Sequence, residues 1–375
     1  MSIRQQNLGS IVKPGFNPLG AQTTTILYNL FSWGRNNFGQ LGLGDVATRS
    51  SPSQVGALTA WLTVAGGFYH SIATKTDGTL WTWGRNAEGQ LGLGNTTYYS
   101  SPKQVGALTT WSKIAGGRYY IVAIKTDGTL WSWGNNTNGQ LGLNNTTNYS
   151  SPKQVGALTT WLNIASKYAQ TIAVKTDGTL WTWGNNAQGQ LGLGNTTQYN
   201  SPKQVGALTA WLTVSSGLYH TMATKTDGTL WAWGNNTNGQ LGLGNTTNYS
   251  SPKQVGALTT WLTIACGFYH SLAVKTDGAL WSWGQNTNGQ LGLGNTTQYN
   301  SPKQVGALTA WSKIAGGRSY TVTTKTDGTL WSWGQNNYGQ LGLGNLTYYS
   351  SPKQVGASTT WLNIAAENYF ALALG

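Results

Sequence analysis

Several residue types are scarce in this chain. Cys266 is the only cysteine among 375 residues, which excludes an internal disulfide, and we interpret it as a small filler. Nine acidic residues and three histidines leave little material for a paired-carboxylate or metal site. No apolar run approaches the ~18 residues of a membrane span, and the N-terminus lacks the apolar core of a signal peptide. We therefore expect a soluble, non-enzymatic protein, made in the cytoplasm, without membrane insertion, metal or other cofactor.

Glycine and tryptophan are abundant instead, with 52 and 20 residues. The chain aligns on itself with a period of 50 residues and no insertion or deletion, and [FW]-x-W-G marks seven copies from Phe31 to Trp331. Two further tryptophan series run from Trp33 to Trp333 and from Trp61 to Trp361. A period of this length indicates one architecture of stacked repeats with a large aromatic core.

Each copy divides into short strands separated by turn residues. Between Ser71 and Gly84, Asp77-Gly78 separates two alternating runs, which predicts a hairpin with a type I′ turn. A third strand is expected around Gln104-Val105 and a fourth from Trp111 to Ala115, with a turn-rich surface loop before Val105. In that loop, Asn144 replaces the glycine of Gly94, which predicts a left-handed backbone at both. Four strands per copy form one blade of a propeller.

The two ends of the repeat region are complementary. The seventh copy stops at 371–375, where the hairpin turn would follow, and the first copy begins at 26–31, just after such a turn. We predict that 370–374 pairs antiparallel with 28–33 and closes the ring. Residues 26–375 would then form an all-β, closed seven-bladed β-propeller of four-stranded blades, with 1–25 as an extended N-terminal arm.

One recurring motif resembles that of a known family. The pattern [LV]-W-x-W-G-x-N-x-x-G-Q-L-G follows the hairpin and is preceded by A-x-G-x-x-H-S at Ala65 to Ser71. Both are similar to the regulator of chromosome condensation repeat, which implies a seven-bladed propeller with one blade shared between the termini. The resemblance also implies action through loops at the ends of the propeller. Members bind nucleosomes, exchange nucleotide on a small nuclear GTPase, regulate ubiquitin ligases or plug an enzyme active site.

The arm carries a resemblance of its own. The stretch L-G-x-I-V-K-P-G-F-N-P-L, from Leu8 to Leu19, is similar to the openings of virion proteins from tailed phages of marine bacteria. That similarity implies that the arm, including Arg4, Lys13 and Phe16, anchors the ring to other virion proteins.

The most varied part of the repeat is the loop after the Trp61-type strand. This loop is our candidate binding face for two reasons. It varies inside an otherwise copied module, and it carries aromatic and arginine side chains, which are enriched in interfaces. Its residues are Phe68, Tyr69, His70, Arg118, Tyr119, Tyr120, Tyr168, Tyr219, His220, Phe268, Tyr269, His270, Arg318, Tyr320 and Tyr369. The three histidines share one repeat position, and we interpret them as structural or interface residues.

A second candidate surface is basic. The formal net charge is +13, and much of the excess comes from one repeat position that symmetry places in a ring. These lysines are Lys103, Lys153, Lys203, Lys253, Lys303 and Lys353. One interpretation is that these lysines bind a negatively charged partner, such as nucleic acid, a host surface or an acidic protein. The other is that they form a solvated surface that maintains solubility.

Three functions remain open. The first is a virion component of a tailed phage, located in the virion, with a loop face that meets another subunit or the host surface. The second is a regulator of a GTPase or other enzyme through the loop face. Nucleotide exchange would favour negative charge there, whereas Glu367 is the only acid in the varied loops. The third is polyanion binding through the lysine ring.

Overall fold

A computed structural model describes residues 28–375 as strands joined by turns and loops. In chain order the first strands are β1 (Leu30–Gly34), β2 (Arg49–Gln54), β3 (Trp61–Gly66), β4 (His70–Lys75), β5 (Leu80–Gly84), β6 (Tyr99–Gln104), β7 (Trp111–Gly116), β8 (Tyr120–Lys125), β9 (Leu130–Gly134), β10 (Tyr149–Gln154), β11 (Trp161–Ser166), β12 (Gln170–Lys175), β13 (Leu180–Gly184) and β14 (Tyr199–Gln204). The others are β15 (Trp211–Ser216), β16 (His220–Lys225), β17 (Leu230–Gly234), β18 (Tyr249–Gln254), β19 (Trp261–Cys266), β20 (His270–Lys275), β21 (Leu280–Gly284), β22 (Tyr299–Gln304), β23 (Trp311–Gly316), β24 (Tyr320–Lys325), β25 (Leu330–Gly334), β26 (Tyr349–Gln354), β27 (Asn363–Ala366) and β28 (Phe370–Leu374). This described part of the chain contains no helix capable of crossing a membrane.

The strands form seven four-stranded antiparallel sheets, which are the blades of a propeller. Blade 1 has the order β2-β1-β28-β27, and blade 2 has the order β3-β4-β5-β6. Blades 3 to 7 repeat the arrangement of blade 2. The first strand of each repeating blade lines a central cavity and the fourth lies at the outer rim. The predicted fold class is confirmed.

Ring closure occurs inside blade 1, as the severed hairpin predicts. β1 pairs antiparallel with β28 from Leu30 opposite Leu374 to Gly34 opposite Phe370. The Asn29 amide also donates to the carbonyl of Gly375, at 2.9 Å. A closed ring leaves no long inner strand edge free to pair with another chain. The predicted arm, with Arg4, Lys13 and Phe16, lies outside the described residues.

The hairpin turn differs from the predicted type I′. Gly78 has a φ of +77°, but Asp77 is absent from the residues with positive φ. The reason is the Asp77 carboxylate, whose Oδ1 accepts hydrogen bonds from the backbone amide and the hydroxyl of Thr79. That hydroxyl in turn accepts from Nε1 of Trp81, at 2.9 Å. An aspartate side chain therefore organises the turn, and only the glycine needs the left-handed region.

Asn144 has a φ of +60° and Gly94 a φ of +75°, so the predicted left-handed position is confirmed. The third strand was predicted too late in the sequence, because it covers Tyr99–Gln104 and includes Pro102. This strand is the outermost of its blade, where a proline without an amide hydrogen costs no ladder bond.

Tryptophans hold neighbouring blades together. Trp83 is fully buried, and its Nε1 donates to the carbonyl of Gln40 in the preceding copy, at 2.9 Å. All seven copies repeat this bond, and Trp33 closes the circle by donating to Gln340. Trp61 packs against Trp83 with ring centroids 6.2 Å apart. Core packing of the tryptophans is therefore the basis of the blade-to-blade contacts.

Candidate protein-binding face

The varied loops lie together at one end of the ring. In each repeating blade the innermost strand runs toward this end, and a three-residue connection such as 67–69 leads into the second strand. The hairpin turns lie at the opposite end, because the second strand returns there. We name the end that carries the seven three-residue connections the loop face.

Five of the fifteen predicted binding residues are buried between blades and are not exposed on the loop face. They are His70, Tyr120, His220, His270 and Tyr320, all at 0% exposure. Each follows a connection at the first position of a second strand, from which its ring crosses to the next blade. Nε2 of His220, for example, lies 3.1 Å from Oγ of Ser271. The structure thus places the three histidines between blades and not at the surface of the loop face.

Burial also determines the protonation of these histidines. Desolvation lowers the pKa of His70, His220 and His270 to about 3, so all three are neutral at physiological pH. His270 has a hydroxyl partner in Thr321, at 3.2 Å. His70 faces a copy in which Ile121 occupies the corresponding position, and neither of its ring nitrogens has a hydrogen-bond partner. Within the described residues, no group of three potential metal ligands exists.

The buried rings explain a glycine in the connection. Gly67 cannot be replaced without a clash, because a Cβ there would lie 2.1 Å from Cε1 of His70. Gly117, Gly217, Gly267 and Gly317 are similarly covered by the ring three residues later. The two copies without glycine at this position, Lys167 and Glu367, are followed by Gln170 and Phe370 instead of histidine or tyrosine.

Lys167 and Glu367 form a buried ion pair across the axis of the ring. Nζ of Lys167 lies 3.2 Å from Oε2 of Glu367, and the two side chains are 9% and 7% exposed. The same ammonium donates to the carbonyls of Ala366, at 2.9 Å, and Gly316, at 3.3 Å. Desolvation nevertheless raises the pKa of Glu367 to about 7, against the opposing effect of Lys167. Sequence reasoning missed this pair because its members are 200 residues apart.

An apolar cluster lies beside the ion pair and covers the axis. Phe68 and Phe268 stack with centroids 4.7 Å apart, and Leu218 completes the buried centre. Nζ of Lys167 is 5.9 Å from the centroid of Phe268. Tyr219 and Tyr269 pack around this cluster and are partly exposed. The two phenylalanines are thus predicted binding residues that the structure places beneath the surface.

The central cavity has a volume of about 200 Å³ and is lined by the innermost strands, including Ser166 and Cys266. Cys266 is buried, and desolvation raises the pKa of its thiol to about 12. A thiol with so high a pKa is unreactive at physiological pH, which fits its interpretation as a small filler.

Apart from Tyr219 and Tyr269, which pack around the apolar cluster, the remaining predicted residues form a continuous surface. Arg118 is the clearest example, since its Nη1 donates to the Tyr168 hydroxyl at 2.9 Å while its guanidinium carbon lies 4.7 Å from the ring centroid of Tyr119. Arg318 lies 5.1 Å from Tyr369 in the same manner. Arg35, which sequence reasoning missed, lies within 5.8 Å of both Tyr69 and Tyr369 and joins the two groups. We name this set the aromatic–arginine arc: Arg35, Tyr69, Arg118, Tyr119, Tyr168, Arg318 and Tyr369.

The arc is positively charged. Among the described residues, Arg35, Arg118 and Arg318 have no acidic group at ion-pair distance. Arg85, also missed from the sequence, packs 4.3 Å from the centroid of Tyr119 but is neutralised by Glu88. Glu367 is buried and paired, so it contributes no exposed negative charge. The arc combines the residue types that dominate binding energy in protein interfaces.

The lysine ring is on a different surface. Its six members lie on the outermost strands, and each ammonium is between 5.3 and 5.6 Å from the centroid of a tyrosine in the same strand. The first copy carries Ser53 in place of lysine, so the ring is interrupted in blade 1. These lysines therefore surround the rim and do not contribute to the arc.

Comparison with known proteins identifies the family of the chain. Residues 159–375 match the model of the RCC1-like domain. Residues 29–74, 77–124 and 127–174 match the regulator of chromosome condensation (RCC1) repeat. No curated protein sequence matches the chain significantly.

Solved structures show the same fold at low identity. Human WBSCR16 is 21% identical, with a TM-score of 0.84 over 93% of this chain and 98% of that one. Prp20p from Saccharomyces cerevisiae, in a structure described together with its binding properties to Gsp1p and histones, is 21% identical, with a TM-score of 0.84 over 94% and 92% of the two chains. Yeast RCC1 (Prp20) bound to Kap60 is 20% identical, with a TM-score of 0.83 over 100% and 96%. The chain belongs to the family of proteins with an RCC1-like domain.

Proposed function

We propose that this protein is a non-catalytic regulator that binds an acidic surface of a partner protein, a GTPase or another enzyme, through the aromatic–arginine arc. The observation that carries the proposal is the arc itself. It joins four tyrosines and three arginines from several blades into one surface, and those arginines have no acidic partner among the described residues. Because these arginines and tyrosines already contact one another, their side chains lose little conformational entropy on binding, which favours their use as anchors.

The family supports the class of partner. Prp20p shares the fold, and its structure is described with binding to Gsp1p and histones. The charge of the loop face favours one mode of regulation over another. Displacement of nucleotide and Mg²⁺ would favour exposed acidic groups on the loop face, whereas the acid of the varied loops is buried with Lys167. We therefore propose regulation by binding and occlusion in preference to nucleotide displacement.

The chain itself supplies matched variants for the test. Tyr119→Ala introduces the residue that Ala169 provides in the next copy, and Arg318→Asn introduces that of Asn368. Both leave the blade core untouched. Lys203→Ser, which copies Ser53, is the control at the rim. Binding to purified small GTPases is measured by biolayer interferometry, together with release of fluorescent GDP.

We expect the wild type to bind a GTPase and slow or leave unchanged its nucleotide release. The arc double variant should weaken binding by about 30-fold or more, with the Lys203→Ser variant unaffected. Equal losses in both variants would contradict binding through the arc. Strong acceleration of release would contradict occlusion as the mode of action, and absence of binding to every GTPase would contradict this class of partner.

The two other functions inferred from the sequence are also proposals, each with its own test. The virion role depends on the arm, which lies outside the described residues. A pull-down of virion proteins with and without residues 1–25 tests it, and loss of capture without the arm is the expected result. Polyanion binding predicts that affinity for duplex DNA falls steeply with salt and that Lys203→Ser weakens it.

A further inference from the structure

Cavities occur in the seams between neighbouring blades, near the end of the ring that carries the hairpin turns. One of about 410 Å³ lies between blades 5 and 6 beside Trp261, whose amide donates to the carbonyl of Gly228 in a hairpin turn. Cavities of about 480 and 570 Å³ lie at equivalent positions, beside Trp161 and Trp361. All three volumes are typical of ligand pockets, about 300–1,000 Å³. We name these three the seam cavities.

The walls of a seam cavity are mainly apolar. Between blades 5 and 6 they include Leu243 and Val255 from one copy of the repeat and Trp261, Trp281 and Pro302 from the next. Such walls favour an apolar group over water, because the group loses its contact with solvent on entering. The cavity between these two blades is therefore suited to an apolar side chain of a partner.

Trp261 also brings an unused hydrogen-bond donor to its cavity. The side chain is 4% exposed, and its Nε1 has no partner among residues 28–375. The equivalent atom of Trp61, in blade 2, donates to the carbonyl of Leu58, at 2.9 Å. Leu258 is the counterpart of Leu58 and lines the seam cavity. The indole donor of Trp261 therefore points toward the wall at which a carbonyl could accept from it.

Blade 2 shows that a peptide backbone satisfies this donor. In the two other seam cavities, Nε1 of Trp161 and Nε1 of Trp361 are likewise buried and without a partner in the described part of the chain. A buried donor without a partner is costly, so a carbonyl that reaches it is bound strongly. The loop at 256–259 makes no backbone hydrogen bond to another described residue, so it can move aside to admit a ligand.

The surroundings of the cavity between blades 5 and 6 are positively charged. Lys253 and Lys303 are exposed and directly adjoin residues of the cavity wall in the sequence. Nζ of Lys275 lies 4.0 Å from the ring centroid of Trp281, which belongs to the wall. Within the described residues, none of these lysines has an acidic group at ion-pair distance. Asp277 is the only acidic residue between 228 and 326, so the net charge favours an acidic ligand.

From the apolar walls, the unused donor and the charge, we propose that the seam cavities bind short acidic segments of a partner protein. An apolar side chain of the segment enters the cavity, and a neighbouring backbone carbonyl accepts from Nε1 of Trp261, as the Leu58 carbonyl does from Trp61. A carboxylate beside that side chain pairs with Lys253 or Lys303. The segment is not the N-terminal part of this chain, because residues 1–27 contain no acidic residue. A partner with several such segments would bind several cavities with avidity.

A fluorophore at one cavity tests the proposal on the full chain. Because Cys266 is buried, a bimane label attaches to the new thiol of the Leu258→Cys variant, close to Trp261, and contact with tryptophan quenches bimane. The probe peptides are selected on the wild type from a displayed library of short random sequences. We expect them to carry a leucine or aromatic residue next to aspartate or glutamate, and to raise the fluorescence of the label. The same label in the Leu58→Cys variant should not respond, because Trp61 already has its carbonyl.

Two sets of variants separate this site from other surfaces. Lys253→Ser with Lys303→Ser, which copy Ser53, should weaken peptide binding at the labelled cavity by about 5-fold or more. The arc double variant, Tyr119→Ala with Arg318→Asn, should leave the response unchanged, so the result is independent of the proposed function.

Several results would overturn the proposal. One is a library that gives no binding peptide, or peptides that leave the label at position 258 unchanged. Another is a response that persists undiminished without Lys253 and Lys303, or an equal response from the label at position 58. A response to single-stranded DNA in place of the peptides would assign the cavities to nucleic acid instead.

Discussion

The sixth blade lacks one hydrogen bond that five other blades possess, and replacing Ala279 with threonine should restore it. In those five blades a threonine hydroxyl donates to an aspartate and accepts from a tryptophan Nε1, at 2.8–3.0 Å. In blade 6 the threonine is Ala279, and Nε1 of Trp281 is buried without a partner. The space is suitable, since Thr79 is 7% exposed at the equivalent position and Ala279 is 3% exposed.

The expected gain follows from the cost of an unsatisfied donor. A net intramolecular hydrogen bond stabilises by roughly 1 kcal/mol, and a buried donor without a partner costs about 1–3 kcal/mol. We therefore expect Ala279→Thr to raise the free energy of unfolding by about 1.5 kcal/mol. Thr79→Ala creates the same defect in blade 2 and should lower the free energy of unfolding by a similar amount.

Urea unfolding followed by tryptophan fluorescence measures both changes. The two variants should shift the midpoint in opposite directions, and the double variant should lie close to the wild type, because the two blades are not neighbours. A neutral or destabilising Ala279→Thr, together with a destabilising Thr79→Ala, would refute the reasoning. It would mean that the threonine contributes through packing and not through the bond to tryptophan.

Two predictions concern pH. Burial lowers the pKa of His220 from 6.5 to about 3, so its contribution to stability is present above pH 6.5 and is lost as the pH falls. Between pH 7 and pH 5 the His220→Gln variant, which copies Gln170, should lose about 2 kcal/mol less than the wild type in urea titrations; equal losses would exclude a buried neutral histidine. Burial raises the pKa of Glu367 from 4.5 to about 7, so its contribution is present below pH 4.5 and is lost as the pH rises through 7. Between pH 5 and pH 8 the wild type should lose up to about 3 kcal/mol that Glu367→Gln does not lose, and parallel curves for the two proteins would contradict the raised pKa.

The sequence contained most of the architecture. Seven copies, four strands per copy and the closing strand pair all follow from the period and from the hairpin severed between 375 and 26. The turn type was wrong because the Asp77 carboxylate bonds to Thr79, an interaction that a dipeptide rule for Asp-Gly does not include.

The candidate site was less predictable. The varied loops were found from their variation, but adjacent positions within them have opposite fates. Tyr69 is partly exposed in the arc, whereas His70 is buried against the next blade. Both are aromatic or polar residues typical of interfaces, so residue type does not separate them. The start of the strand at His70 separates the two positions, because it orients the His70 side chain into the seam between blades.

The sequence by itself therefore determined the repeat, its strands and its closure, because these depend on local turn chemistry and on contacts between neighbouring copies that recur at every period. Only the tertiary structure decided what meets across the ring. Two contacts at the axis join copies that are not neighbours in the sequence: Lys167 with Glu367, and Phe68 with Phe268. Closure brings them to the axis, where burial and charge pairing depend on the whole ring rather than on any one repeat.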